Sequence, residues 1–277
     1  LLYIPAWRKA GYDRDYPTYD EPFDTLGPFI ERAHDLGYRV MLHVNYFGCD
    51  PLNALYAQFE PYQVRSPWGG HDKEWWLWER ADPVIKFAYI NPAYKPWRDL
   101  FVSRMAELCA AFGVDALHLD QTLCIYNDHN GLIDGLSMIQ GNVLIHKELR
   151  EALPDVAISG EGLNEVTCRY EAFAQRHAFG MNHSEGTYDR ASLEMAHPVS
   201  SYLVGPYTRI YGYLGCAPPT SGQLYAAWNE AYQHWGVIPT LKPDLAEIAN
   251  PGGFSKQFYD EAAFWFEAKP EPDLDGP

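Results

Sequence analysis

Short apolar runs of strand length alternate with amphipathic stretches along most of the chain. Leu1-Leu-Tyr-Ile-Pro-Ala-Trp7 reads as a buried strand, followed by a polar, Tyr-rich loop over Arg8 to Asp24. Phe29, Ile30, Ala33 and Leu36 recur at helical spacing over Pro28 to Leu36, and Gly37 is a natural C-terminal stop. Arg39 to Phe47 is the second strand, apolar except for His43 and Asn45. Asp50 to Arg80 is irregular, rich in Trp, Pro and Gly, and of a length that usually carries function. Val84 to Ile90 reads as a short extra strand, with Asn91-Pro92-Ala93 as a turn. An amphipathic helix over Trp97 to Phe112 closes on Gly113, and a buried strand then runs through Val114, Ala116, Leu117 and Leu119 to Asp120.

The same unit repeats with a helix over Ser137 to Leu153 and a strand over Val156 to Gly160 that stops at Glu161. Beyond it, Asn164 to Gln175 reads as helical and Ala178 to His183 as a strand, while Ser192 to Val204 fits either state. Arg209 to Gly215 is a strand, Gly222 to His234 a helix, Trp235 to Leu241 the last strand and Phe258 to Ala268 a closing helix. This alternation predicts an α/β fold with a parallel sheet and helical crossovers. Seven core strands fit a (β/α)8 TIM barrel over residues 1–268, its first strand lying upstream of Leu1, with a long insertion at about 50–83. Residues 269–277, acidic and Pro-rich, read as linker or disordered tail. An open doubly wound sheet is the alternative, but no GxGxxG or GxxxxGK phosphate loop follows any strand. In a barrel, Asp120 and Glu161 would end successive strands at the face where such folds carry their chemistry.

Composition narrows the partners. The 277 residues are 47% hydrophobic and 21% charged, enough for a sizeable core. A formal net charge of -16 without any basic run argues against a nucleic-acid partner, because neutralising phosphates takes clustered Lys and Arg. Aromatics make up 15% of the residues, which fits either large-residue packing or a cleft that stacks sugar rings. The five cysteines are scattered, neither a disulfide framework nor a zinc pattern, and Cys109 reads as a small core residue. No apolar run is long enough to span a membrane. The chain opens in an apolar segment without Met, so a longer protein with flanking domains is expected. An extracellular or periplasmic location follows if that longer chain carries a signal peptide.

Three motifs resemble a family. Leu36-Gly-Tyr-Arg-Val-Met-Leu-His-Val-Asn-Tyr46 resembles the third barrel strand of the α-amylase superfamily. Phe112 to Asp120 resembles its fourth-strand motif, whose final Asp is the nucleophile, and Ser159-Gly-Glu161 its fifth-strand motif, whose Glu is the acid/base. Three features depart from the pattern. His118 stands where the superfamily has Arg, His43 where it has Asp, and the seventh-strand His-Asp pair has no clear counterpart. The chain thus resembles a divergent member, nearer the endo-α-N-acetylgalactosaminidase-like barrels or bacterial glycosidase-like domains.

The resemblance implies a glycosidase that cleaves α-linked oligosaccharides or polysaccharides without a cofactor or metal. Asp120 would be the nucleophile and Glu161 the acid/base, a role that needs a carboxyl kept protonated by partial burial. Carboxyl groups roughly 5–5.5 Å apart would make the enzyme retaining, and a separation above about 6.5 Å inverting. His43, Asn45, Tyr46, His118, Gln121 and His183 are candidate substrate contacts, with Trp7 and Asp13 near the first strand. Asp15, Tyr16 and Tyr19 form either a solvated turn or further contacts, and Trp75, Trp76 and Trp78 either pack the insertion or line outer subsites. Two rival readings stay open: a metal-assisted hydrolase using His43, His118 and Asp120, and a non-catalytic carbohydrate-binding barrel.

Overall fold

The computed structural model describes residues 1–11, 14–65, 72, 73, 75, 76, 87–122 and 129–176. Beyond these it describes 181, 182, 187, 188, 199–212, 235–238, 240, 241, 245–250, 252, 256, 257 and 260. The chain forms two compact units, Leu1–Glu171 and Ala172–Pro277.

In the first unit the order is β1 (Leu2–Ile4), α1 (Leu26–Asp35), β2 (Val40–Asn45), β3 (Gly48–Cys49) and α2 (Tyr56–Phe59). Then come β4 (Trp75–Trp76), β5 (Phe87–Tyr89), α3 (Lys95–Phe112), β6 (Ala116–Asp120), α4 (Met138–Ala152) and β7 (Ala157–Glu161). β1, β2, β6 and β7 lie side by side in that order, each pair parallel, as helical crossovers require. Local chemistry sets the helix ends. Pro96 opens α3, and Gly113, at φ 66°, closes it in the left-handed region. At α4, Ser137 Oγ accepts from the Gln140 amide at 3.1 Å, and Gln140 Oε1 accepts from the Ser137 amide at 2.8 Å.

The start of β6 is clasped by a carboxylate. Asp115 accepts from the Val40 amide at 2.8 Å and from Arg39 at 3.1 Å, and pairs with His34 at 2.7 Å. Burial pushes its pKa up, but the Val40 hydrogen bond and the His34 and Arg39 partners outweigh this and hold it below the usual carboxylate value.

Strand alternation sorts the sheet into two faces. Leu42, Val44, Leu117, Leu119 and Ile158 share a face and join a core with Ile30 of α1, Phe101 and Met105 of α3 and Ile145 and Leu149 of α4. Two glycines permit close approach. A Cβ on Gly141 of α4 would lie 2.2 Å from the Ala93 nitrogen, and one on Gly160 of β7 would lie 2.4 Å from Glu171 Oε1. That carboxyl belongs to a buried polar group: His146 Nε2 is 3.7 Å from Glu171 Oε1. It is not an ion pair. Burial raises Glu171 to about 8, against a smaller opposing effect of Thr167. Burial also lowers His146 to about 4, although its bond to the Asn142 carbonyl opposes this.

The loop after β1 folds into the core. Tyr16 and Tyr19 are buried, and Tyr19 donates to the Asn45 carbonyl at 2.6 Å, so neither a solvated turn nor a sugar contact describes them. The insertion contributes β4 to a three-stranded antiparallel sheet ordered β3-β5-β4, whose middle strand lies within the extra strand expected at Val84 to Ile90. Trp97 and Trp7 are fully packed, as is Cys109.

In the second unit, β8 (Phe173–Arg176) and β11 (Arg209–Gly212) pair in parallel, and Tyr211 bridges in parallel to Ile238 of the expected last strand. Between them, β9 (Met181–Asn182) and β10 (Thr187–Tyr188) form an antiparallel pair. This corrects two expectations. The helix read over Asn164 to Gln175 is only a 3-10 turn at Cys168–Tyr170, because Asn164 Oδ1 caps the Val166 and Thr167 amides and the chain then extends. The parallel strand starts at Phe173 rather than Ala178, and Met181–Asn182 belongs to the antiparallel pair. Val199–Val204 is helical, which decides that ambiguous stretch, and Leu245–Ala249 is a further helix. The helix expected over Gly222 to His234 and the tail from Lys269 lie outside the described residues, as does all of Phe258 to Ala268 except Asp260. No described helix is long and apolar enough to cross a membrane.

Candidate active site

Strand register stacks the polar residues of β2, β6 and β7 in two rows. Asn45 is opposite Asp120, and Glu161 follows Gly160, which is opposite Leu119. Two residues earlier, His43 is opposite His118 and His118 opposite Ser159. A spacing of two keeps each upper residue on the same face as the one below it. The strand-end carboxylates read from the sequence therefore stand on neighbouring strands, above a row of two imidazoles and a hydroxyl.

The carboxylates are buried, Asp120 at 6% and Glu161 at 5% exposure. Asn45 Nδ2 donates to Asp120 Oδ2 at 3.1 Å, and His43 Nε2 lies 3.9 Å from the same oxygen. The Gln121 amide donates to Glu161 Oε2 at 2.8 Å, with Gln121 itself in the left-handed region at φ 66°. Thr122 Oγ1 donates to the Glu161 carbonyl at 2.8 Å, and Asn164 Nδ2 donates to the Thr122 carbonyl at 3.1 Å. Below, the Tyr3 hydroxyl is 2.7 Å from His43 Nδ1, and Ser159 Oγ is 3.2 Å from His118 Nδ1. The imidazoles stack with centroids 5.6 Å apart. Burial, then the neighbouring His118 and Arg8, hold His43 well below its usual pKa. Burial takes His118 to about 4, against an opposing pull from Glu161. Near neutral pH both rings are uncharged.

Of the candidates, His43, Asn45, His118, Gln121, Asp120 and Glu161 come together. Tyr46 does not join them: strand alternation turns it to the other face, where its hydroxyl donates to Asn142 Oδ1 of α4 at 2.6 Å. Trp7 is buried and donates its indole N–H to the His43 carbonyl at 2.7 Å, which places it as a support for β2. Asp13 and His183 lie outside the described residues, as do the side chains of Trp75, Trp76 and Trp78. Sequence reasoning missed Tyr3, Ser159 and Thr122. Ser159 carried a signal, since it precedes Glu161 by the interval that separates His118 from Asp120. Among the described residues, His43, His118 and Asp120 also form a cluster whose donor atoms lie within 4.8 Å of one another, bringing together the ligands of the metal-assisted reading.

No protein-family model matches the chain, and no curated protein matches it. Solved structures do. The α-galactosidase TtGalA of Thermus thermophilus with p-nitrophenyl α-D-galactopyranoside superposes at TM-score 0.61 and 13% identity, covering 92% of this chain and 52% of that one. A quadruple mutant of the α-N-acetylgalactosaminidase NagBb of Bifidobacterium bifidum gives TM-score 0.62 and 15% identity over 88% of this chain and 39% of that one. A GH36 α-galactosidase of Geobacillus stearothermophilus, AgaA, gives 0.53 and 11% identity over 88% and 33%. The chain thus spans between about a third and a half of these proteins. At such identities the likeness shows the fold, an α/β barrel of the kind glycosidases use. It supports a glycosidase fold without singling out the α-amylase superfamily.

Proposed function

We propose that residues 1–268 form the catalytic barrel of a glycoside hydrolase that cleaves α-linked oligosaccharides or polysaccharides through Asp120 and Glu161. The observation that carries this reading is the pair itself. Two buried carboxylates end adjacent parallel strands, and one is bound by the amide of the residue that follows the other, at 2.8 Å. Hydrolysis of a glycoside needs two carboxyl groups flanking the scissile bond, one to protonate the leaving oxygen and one to attack or to activate water. The fourth- and fifth-strand motifs support Asp120 as nucleophile and Glu161 as acid/base, hence retention. The names of the structural neighbours support the α-configuration.

In the first step Glu161 gives its proton to the departing oxygen while Asp120 attacks the anomeric carbon. In the second, the ionised Glu161 takes a proton from water, which displaces Asp120. Asn45 holds Asp120 in place, and His43 and His118 stand in the row beneath it. The purified chain should release sugar from a panel of α- and β-nitrophenyl glycosides and polysaccharides. Asp120→Asn and Glu161→Gln, checked by circular dichroism, should each lose at least about a hundredfold of that activity. Full activity in both variants would overturn the assignment, and glycan binding without cleavage would favour a carbohydrate-binding barrel.

A further inference from the structure

We propose that His43, His118 and Asp120 form a site for one divalent transition-metal ion of the zinc class, and that the bound ion inhibits cleavage by holding the proposed nucleophile. The inhibition rests on the reading of Asp120 as nucleophile. The binding does not.

The donors come from two neighbouring strands at fixed register, His43 opposite His118 and Asp120 two residues beyond His118. Their ligand atoms all lie within 4.8 Å of one another, and His43 Nε2 is 3.9 Å from Asp120 Oδ2. Ligand bonds of about 2.0–2.2 Å put neighbouring donors of one ion roughly 3–3.6 Å apart, so shifts on the order of 1 Å close the cluster. The surroundings match what metal-binding histidines use. Each imidazole has a hydroxyl at Nδ1, Tyr3 at 2.7 Å for His43 and Ser159 at 3.2 Å for His118, and such partners fix the ring and direct Nε2 to an ion. Both rings are buried, as ligands of an enclosed ion are.

Two imidazoles and one carboxylate suit zinc, nickel, copper or iron, whereas calcium and magnesium prefer oxygen donors. Three protein ligands leave a position for water. The ion would take Asp120 Oδ2, the oxygen that Asn45 also contacts at 3.1 Å, so metal and anomeric carbon compete for one carboxylate.

The test uses the chain after dialysis against a chelator. Titration with Co2+ should give visible absorption bands that saturate at one equivalent, and Zn2+ should displace the cobalt and raise the Tm. His118→Ala should abolish stoichiometric binding. Tyr3→Phe, which keeps the ring packed against His118, should weaken binding about tenfold to a hundredfold. Saturating Zn2+ should suppress glycoside release, and a chelator should restore it. Less than one equivalent bound, or equal affinity in the parent, His118→Ala and Tyr3→Phe, overturns the site. Full cleavage by zinc-saturated protein overturns the inhibition. One bound equivalent in a protein that cleaves no glycoside even when metal-free upholds the site and removes the proposed function instead.

Discussion

The backbone N–H of Gln121 donates to Glu161 Oε2 at 2.8 Å, so the residue that follows one proposed catalytic carboxylate holds the other. It does so at φ 66°, where a residue with a Cβ is strained. Gln121→Gly should therefore fold to within about 1 kcal/mol of the parent and keep the amide in place. Gln121→Pro has no N–H and cannot reach that φ, so it should lose both activity and several degrees of Tm. Urea midpoints and initial rates check this, and an active Gln121→Pro would show that the amide is dispensable.

Asn45 has two duties. Its Nδ2 donates to Asp120, while its Oδ1 accepts from the Gly48 amide at 2.8 Å. Asn45→Ala should lose about 1–3 kcal/mol of stability along with activity. Asn45→Asp keeps an acceptor for Gly48 but sets a second carboxylate beside Asp120, which disfavours ionisation of the pair. The acid limb of its pH profile for kcat/KM should move to higher pH by about a unit or more. An unshifted limb would separate Asn45 from the chemistry.

How far the sequence could carry this depended on the kind of information needed. The strands ending at Asp120 and Glu161 were legible because each is an apolar run stopped by a carboxylate, and α3 was legible because Gly113 marks its end. The mixed pattern of Phe173-Ala-Gln-Arg176 concealed β8, which is defined by its pairing with Arg209–Gly212. Tyr46 reads from the sequence as a candidate substrate contact near the nucleophile, although strand alternation is already enough to send it to the other face. Tyr3 could not be found from the chain alone. Its part depends on β1 lying beside β2, and pairing is a property of the fold.

Gly141 is where α4 meets the turn before α3. A Cβ there would stand 2.2 Å from the Ala93 nitrogen and 2.5 Å from the Pro92 carbonyl carbon, both backbone atoms. Gly141→Ala should destabilise by about 1–3 kcal/mol, despite the better helix propensity of Ala. Chemical denaturation measures this, and a neutral or stabilising result would mean that the two elements are not in contact.

The buried titratable groups give stability two opposing slopes with pH. Glu171 ionises at about 4.5 when unfolded but at about 8 when folded, so its contribution falls as pH rises between those values. His118 and His146 move the other way, from 6.5 unfolded to about 4 folded, so their contribution is complete above 6.5 and is lost as pH falls. From pH 6.5 to 8 only the Glu171 slope of this set remains, up to about 1.4 kcal/mol per unit. Urea denaturation at those two pH values should show that fall in the parent and its loss in Glu171→Gln. An equal fall in both would place the titration elsewhere.

Because a Cβ on Gly160 would lie 2.4 Å from Glu171 Oε1 and 2.5 Å from its Cδ, positions 160 and 171 occupy a single volume. Neither can be enlarged alone. Any redesign of the strand that ends in Glu161 must treat the two as one site, trading a methyl at 160 for a shorter side chain at 171. The same reciprocity makes paired exchange at 160 and 171, small with large or large with small, the signature to look for in any relatives of this chain.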